Sequence, residues 1–100
     1  MSTEPEFLKI LKENDPEYAE RIKKNLAEER EDSALPAKIK LLIAMALDAA
    51  HGDTLGVKML SKQARKKGAT DQELLETIKI VGNTCGIQGL AIAINGYKKE

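Results

Sequence analysis

The sequence has few of the residues that most often carry chemistry. It contains one cysteine, one histidine and no tryptophan, and its aromatic side chains are two tyrosines and one phenylalanine. A single cysteine excludes an internal disulfide and suits a reducing compartment. Sixteen basic residues balance sixteen acidic residues, so no net charge attracts nucleic acid or an anionic membrane. We therefore expect a cytoplasmic protein with an aliphatic core and no nucleic-acid partner.

The sequence also has almost no long stretch that is free of charged residues. The one exception, from Ile80 to Tyr97, approaches the length of a membrane-spanning helix, roughly 17–25 residues. Polar residues and glycines interrupt it, among them Asn83 and Gly86. Two short helices that meet at a glycine corner explain this run better than one span. The N-terminus also lacks the basic-then-apolar order of a secretory signal, so we expect no membrane association.

Proline, glycine and capping residues divide the chain into helices. The predicted helix starts are Thr3 with Pro5, Asp15 with Pro16, Pro36, Asp53, Thr70 with Glu73 as a capping box, and about Gln88. Gly52 and Gly68 predict helix ends. No segment alternates apolar and polar residues as a strand does. The sequence thus predicts one all-α domain of six helices, with an N-terminal helical arm and linker over residues 1–34 and a core over residues 35–100.

Apolar residues at helical spacing indicate which helix faces are buried. The predicted inner positions are Phe7, Leu8 and Leu11 in the first helix; Tyr18, Ile22 and Leu26 in the second; Ile39, Leu42, Ile43, Ala46, Leu47 and Ala50 in the third; Leu55, Met59, Leu60 and Gln63 or Ala64 in the fourth; Leu74, Leu75, Ile78 and Val81 in the fifth; and Leu90, Ala91 and Ile94 in the sixth. Leu41, Ala44 and Met45 lie off the third helix's face and are apolar too. Helices apolar on most sides are hard to cover in so short a chain, so we expect a homo-oligomer.

Two stretches, "LPAKIKLLIAMALDAAHGD" and "KKGATDQELLETIKIVGNTCGIQGLAIA", resemble the carboxymuconolactone decarboxylase family, which includes the alkylhydroperoxidase D proteins. The similar features are a proline and lysines ahead of an apolar helix, a Gly-Ala-Thr-Asp cap after the next helix, and a Gly-Ile-Gln corner in the last hairpin. They occur in that order over about residues 35–97. The resemblance implies a six-helix antiparallel bundle of that family's type, assembled as a homotrimer or homohexamer, and we expect no cofactor.

The peroxidase branch of that family carries Cys-x-x-Cys with a histidine after it and a glutamate before it. The resemblance places these positions on Asp53, Gly56, Leu60 and Leu41 of this chain. None of these side chains supplies a thiol, and neither leucine moves a proton, so the dithiol mechanism is absent. Asp53, Gly56 and Leu60 remain candidate substrate-binding positions.

The decarboxylase branch places histidines near the positions of Leu60 and Asn95, and both histidines are missing here. That branch has "YCGIP" where this chain has "TCGIQ", so Cys85 has a counterpart there. By overall pattern the chain is similar to the decarboxylase side, without that side's acid–base residues.

Cys85 is the candidate catalytic thiol because it is the chain's only one. The alternative is a small apolar residue packed in a tight hairpin. If Cys85 ends the fifth helix, the negative end of the helix dipole opposes a thiolate; if it begins the last helix, nearby amides favour one. The sequence leaves both possibilities open.

Asp48 and His51 lie on one face of the third helix and are candidate catalytic residues. The carboxylate could orient the imidazole and raise its proton affinity. The alternative is a histidine stabilised at a helix C-terminus by the dipole alone. One histidine without a nearby cysteine does not supply the three or four ligands of a metal site, so we predict none.

Lys58, Lys62, Arg65 and Lys66 recur on one side of the fourth helix. They could attract an anionic substrate, or they could form the solvated face of an amphipathic helix.

Three functions stay open: a peroxide-defence protein that uses Cys85, a lyase that decarboxylates a small anionic lactone with His51 and Asp48, and a non-catalytic helical oligomer. The small-molecule partner would be a peroxide in the first case and the lactone in the second.

Overall fold

The computed structural model describes residues 4–99, which form five α-helices and a terminal 3-10 turn. The elements are α1 (Glu6–Asn14), α2 (Pro16–Glu28), α3 (Ala37–Ala50), α4 (Thr54–Lys66), α5 (Asp71–Ala93) and the turn Ile94–Gly96. No strand occurs within these residues, which agrees with the predicted all-α class. The predicted count of six helices is not confirmed, because the expected fifth and sixth helices are joined within α5 across a kink at Gly86. The described chain divides into two compact units between Glu31 and Asp32.

The N-terminal unit is the helical pair α1 and α2. Asp15 caps α2 by accepting a hydrogen bond from the Tyr18 amide at 3.1 Å, and Pro16 occupies the first turn, as predicted. The buried side chains are Leu8 and Ala19. Phe7 and Tyr18, expected on the inner faces, are exposed. The predicted cap at Thr3 lies outside the described residues.

The C-terminal unit begins with a cap that the sequence did not reveal. The Asp32 carboxylate accepts a 2.7 Å hydrogen bond from the Ala37 amide at the start of α3, just after Pro36. The predicted helix ends at Gly52 and Gly68 are confirmed. Gly52 and Gly68 follow their helices at φ +82° and +99°, the left-handed region that glycine enters without a steric penalty.

The core of this unit lies where α3 packs against both α4 and α5. On α3 the buried residues are Ala37, Leu41, Leu42, Met45 and Ala49. The predicted inner face is confirmed only in part: Leu42 is buried, and Ile39 and Ala46 pack against the core. Ile43 is exposed and Leu47 is 57% exposed, whereas Met45, expected off this face, is fully buried. The physical reason is that α3 is apolar nearly all round, so periodicity alone does not single out one face.

The same error affects α4 and the end of α5. The buried residues of α4 are Val57, Ser61 and Ala64, while Leu55 and Met59 are exposed and Leu60 is half-buried against the core. Leu74, Ile78 and Val81 of α5 are buried as predicted. Beyond them, Gly89 and Ala93 are buried, whereas Ala91 and Ile94 are exposed.

Helix α5 bends at Gly86, the one residue inside it with non-helical angles (φ 83°, ψ −171°). The glycine corner predicted from the sequence is therefore present, as a kink within one element.

Among the described residues, the stretch Asp71–Gly96 has the length and mean hydropathy, 1.3, of a helix that could cross a membrane. Core helices of globular proteins meet the same criteria, and α5 packs against both α3 and α4. Only 22% of its most apolar window is buried, so much apolar surface remains uncovered in a single chain.

Candidate functional site

His51 and Cys85, far apart in the sequence, line one cleft of about 560 Å³. The cleft lies between the end of α3 and the bend in α5, and small residues such as Gly52, Gly89 and Ala91 form much of its remaining wall. The left-handed Gly52 ends α3 here, and the left-handed Gly86 redirects α5. Two glycine breaks thus bring the chain's only imidazole and only thiol to one place.

The His51 ring is held in a defined way. Its Nδ1 atom lies 2.9 Å from the carbonyl oxygen of Leu47. A carbonyl oxygen only accepts hydrogen bonds, so Nδ1 carries the proton in this contact. In the neutral ring the free lone pair is then on Nε2. His51 is exposed and belongs to the lining of the cleft.

Cys85 is exposed in the single chain, which does not fit the interpretation of a packed, buried cysteine. Cys85 is the last residue before the bend at Gly86, where carbonyl groups ending the first arm of α5 oppose a thiolate. Its side chain also lies against the second arm: a Cβ added at Gly89 would be 2.8 Å from the Cys85 Cβ. Cys85 therefore lies at the C-terminal end of the first arm and beside the start of the second arm. The two helix ends have opposite effects on a thiolate, which explains why the sequence could not decide between them.

Asp48 and Asp53 crowd the first turn of α4. Asp53 caps this helix by accepting the Gly56 amide at 2.8 Å, as predicted. A Cβ at Gly56 would overlap the Asp48 carboxylate and lie 2.6 Å from Asp53 Oδ2, so glycine is required for the two carboxylates to approach this turn. Asp48 thus faces α4, and it does not line the cleft of His51 and Cys85.

A second cleft, of about 620 Å³, lies between α4 and the C-terminal residues. Among residues 4–99, its lining contains five basic side chains and no acidic one: Lys58, Lys62, Arg65, Lys98 and Lys99. Leu55, Met59, Ser61 and Asn95 complete the lining. We call this site the cationic cleft. Three members of the basic stripe predicted on α4 belong to it, whereas Lys66 does not.

The sequence model of the carboxymuconolactone decarboxylase family matches residues 16–95. The chain belongs to this family. It is also 30% identical over 76 residues to an uncharacterized protein of Methanocaldococcus jannaschii, an alignment that covers 76% of this chain and 71% of that relative. No solved structure gave a significant match. The family match extends further toward the N-terminus than the resemblance over residues 35–97 did, and it includes α2.

The positions that the peroxidase branch of the family would use for chemistry serve structural roles in this chain. Asp53 and Gly56 form the cap of α4, Leu60 packs against the core, and Leu41 is buried within it. None of the three candidate substrate-binding residues, Asp53, Gly56 and Leu60, lines either cleft described above. Their assignment as substrate contacts therefore stays a prediction.

The sequence did not point to Lys98 or Lys99 as site residues, although both line the cationic cleft. Asn95, near which the decarboxylase branch carries a histidine, lines this cleft too. The two adjacent lysines are visible near the C-terminus of the sequence. Only the fold shows that this segment returns to α4 and places them beside the basic residues of that helix. Within residues 4–99, no group of three His, Cys, Asp or Glu side chains is placed to hold a metal ion.

Proposed function

We propose that this member of the carboxymuconolactone decarboxylase family reduces hydroperoxides with Cys85 as the reacting thiol and His51 as the proton acceptor. The observation that carries the proposal is the cleft that both residues line. An exposed cysteine admits a small peroxide, and an imidazole that lines the same cleft would supply the general base that a thiol needs near neutral pH.

The first half of the reaction oxidises the enzyme. His51 Nε2 takes the proton from the Cys85 Sγ atom, and the thiolate attacks one oxygen of the peroxide. The O–O bond breaks as the S–O bond forms, and the departing oxygen receives the proton from His51 to leave as water or an alcohol. Cys85 becomes a sulfenic acid, which is a two-electron oxidation matched by reduction of the peroxide.

The second half needs a thiol from outside the chain, because Cys85 is its only cysteine. A dithiol reductant attacks the sulfenic sulfur, water leaves, and a mixed disulfide forms. The second thiol of the reductant then displaces Cys85 as a thiolate and leaves as a cyclic disulfide. The open cleft around Cys85 admits such a small reductant, so no resolving cysteine within the chain is required.

The experiment is hydroperoxide consumption with excess dithiothreitol, comparing the native chain with Cys85→Ser. Thr84→Ser is the matched control, since Thr84 is the exposed neighbour on the same helix. We expect turnover in the native chain and the control, and none above background in Cys85→Ser. Equal activity in all three, or none in the native chain, would overturn the proposal.

The alternative of a lyase on a small anionic lactone finds less support. It needs Asp48 and His51 to act together on one substrate. Asp48 approaches Gly56 and lines neither the cleft of His51 and Cys85 nor the cationic cleft. Loss of the lactone from a solution containing the native chain, measured by its ultraviolet absorbance, would revive this alternative.

We also propose that the chain assembles as a homo-oligomer, a trimer or a hexamer by analogy with the family. The support is its uncovered apolar surface: Ile80 and Ile87 on α5 and Leu47 on α3 are exposed, Ile87 by 80%. Large exposed apolar areas mark interaction surfaces in soluble proteins. A non-catalytic oligomer is then the remaining function if the peroxide experiment fails.

A further inference from the structure

We propose that the cationic cleft binds a small amphipathic carboxylate, a molecule with one anionic head and an apolar body. This site is separate from the cleft of His51 and Cys85, and the two share no lining residue. The inference therefore goes beyond the peroxide chemistry and does not depend on it.

Among the described residues, the positive charge of the cleft is only partly balanced by nearby carboxylates. Within the described part of the chain, Lys58, Lys62 and Lys98 have no carboxylate within ion-pair distance. Arg65 and Lys99 share one carboxylate, that of Asp71, at 3.0 and 2.9 Å. The chain as a whole has a net charge of zero, so this concentration of positive charge is a local feature that attracts an anion.

The wall of the cleft is fixed by Arg65. Its guanidinium donates to the carbonyl oxygens of Gly96 at 3.4 Å and Tyr97 at 3.2 Å, besides its bond to Asp71. These bonds hold the C-terminal segment against α4, next to the two lysines of the helix. Arg65 is thus a positioning residue, while Lys58, Lys62 and Lys98 keep their donors available for a ligand.

The apolar part of the cleft indicates that the body of the ligand is a hydrocarbon. Leu55 and Met59 lie on the same side of α4 as the lysines, three or four positions apart, and Leu55 is 68% exposed. Exposed apolar carbon next to unpaired ammonium groups matches a carboxylate that carries a hydrocarbon chain or ring. The volume of about 620 Å³ is within the roughly 300–1,000 Å³ of small-molecule sites. An inorganic anion would contact only the lysines and would leave the apolar surface of Leu55 and Met59 exposed to water.

Isothermal titration calorimetry with three probes separates the contribution of the anionic head to binding from that of the apolar body. Octanoate carries both parts, acetate only the head and octanol only the body. We expect octanoate to bind at least about tenfold more tightly than either partial probe, and its affinity to fall as salt is added. Equal affinity for octanoate and octanol, or no binding of octanoate at millimolar concentration, would overturn the proposal.

Variants and amide shifts locate the site. Lys58→Gln with Lys62→Gln should weaken octanoate binding by about tenfold, whereas the control pair Lys9→Gln with Lys79→Gln, exposed lysines outside the cleft, should not. In two-dimensional nuclear magnetic resonance spectra, octanoate should shift the amides of Leu55, Lys58, Met59 and Lys62. Shifts centred on His51 and Cys85 instead would place the ligand in the other cleft and contradict the inference. Cys85→Ser should leave the affinity unchanged, so failure of the peroxidase proposal and failure of this one are distinguishable.

Discussion

His51 and Cys85 line one cleft because the chain turns at Gly52 and bends at Gly86. If His51 acts as the base, His51→Asn and His51→Gln should both slow oxidation of Cys85 by hydrogen peroxide, by roughly a hundredfold or more. The asparagine amide imitates Nδ1 and keeps a donor for the Leu47 carbonyl. A stopped-flow measurement checks the rates, with circular dichroism to verify the helices.

The two substitutions also separate catalysis from structure. His51→Asn should retain the stability of the native chain while losing the rate. An oxidation rate that follows stability across both variants, or that is the same as in the native chain, would show that His51 only ends α3.

Met45 and Leu47 test the observed face of α3. Met45 is 0% exposed, so Met45→Ala should lower the free energy of unfolding by about 2–5 kcal/mol. Leu47→Ala, at an exposed position, should cost less than about 0.5 kcal/mol. Urea unfolding at several protein concentrations separates these effects from subunit dissociation. A larger loss for Leu47→Ala at every concentration would support the face that periodicity alone predicted.

The fold could be predicted from the sequence wherever a specific side chain marks a boundary. Asp15, Asp53 and the Thr70–Glu73 capping box form the predicted caps, because the amide donors that these side chains need lie within one turn of them along the chain. Burial was predicted less well. Ile43 and Met45 are equally apolar, and only the packing of α4 and α5 on one side of α3 decides which of them is covered.

The ion pair between Lys38 and Glu73, at 2.9 Å, makes stability depend on pH. The Lys38 hydrogen bond, followed by that of the Thr70 amide, lowers the pKa of Glu73 below its ordinary value of 4.5. A lowered pKa means that the folded state favours the carboxylate. The contribution is therefore complete above pH 4.5 and disappears as the pH falls through the lowered pKa.

Glu73→Gln should therefore be less stable than the native chain at pH 7, and the difference should shrink toward pH 3. Glutamine retains an acceptor for the Thr70 amide, so the remaining loss reports the Lys38 pair. Glu76→Gln, an exposed change on the same helix, is the control. Thermal unfolding across this pH range checks the prediction, and a difference that grows on acidification would contradict it.

Ile80 and Ile87 test the proposed assembly. Replacing both with glutamate should convert the oligomer to monomers without loss of helix content, because both are exposed in the single chain. Thr84→Glu places the same charge at an exposed polar position of α5, and we expect a smaller effect from it. Sedimentation velocity at micromolar concentration provides the masses. A native chain that sediments as a monomer would exclude the assembly.

Only part of the candidate site could be predicted from the sequence. Cys85 and His51 stood out because each is the only residue of its type, but their shared cleft depends on two turns and a kink. Asp48 and His51 had the spacing that a pair on one helix face needs, yet the observed partner of the His51 Nδ1 atom is the Leu47 carbonyl oxygen. Spacing gives the face of a helix, whereas the direction of a side chain depends on what packs beside it.

The reactivity of Cys85 toward one equivalent of hydrogen peroxide tests the central proposal most directly. The sulfenic acid can be trapped with dimedone and followed by intact mass spectrometry over time. The proposal predicts one adduct per chain, on Cys85, formed far faster than on free cysteine under the same conditions and slowed in His51→Asn. An adduct that forms no faster than on free cysteine would show that the cleft does not activate the thiol, and would contradict a peroxidase function.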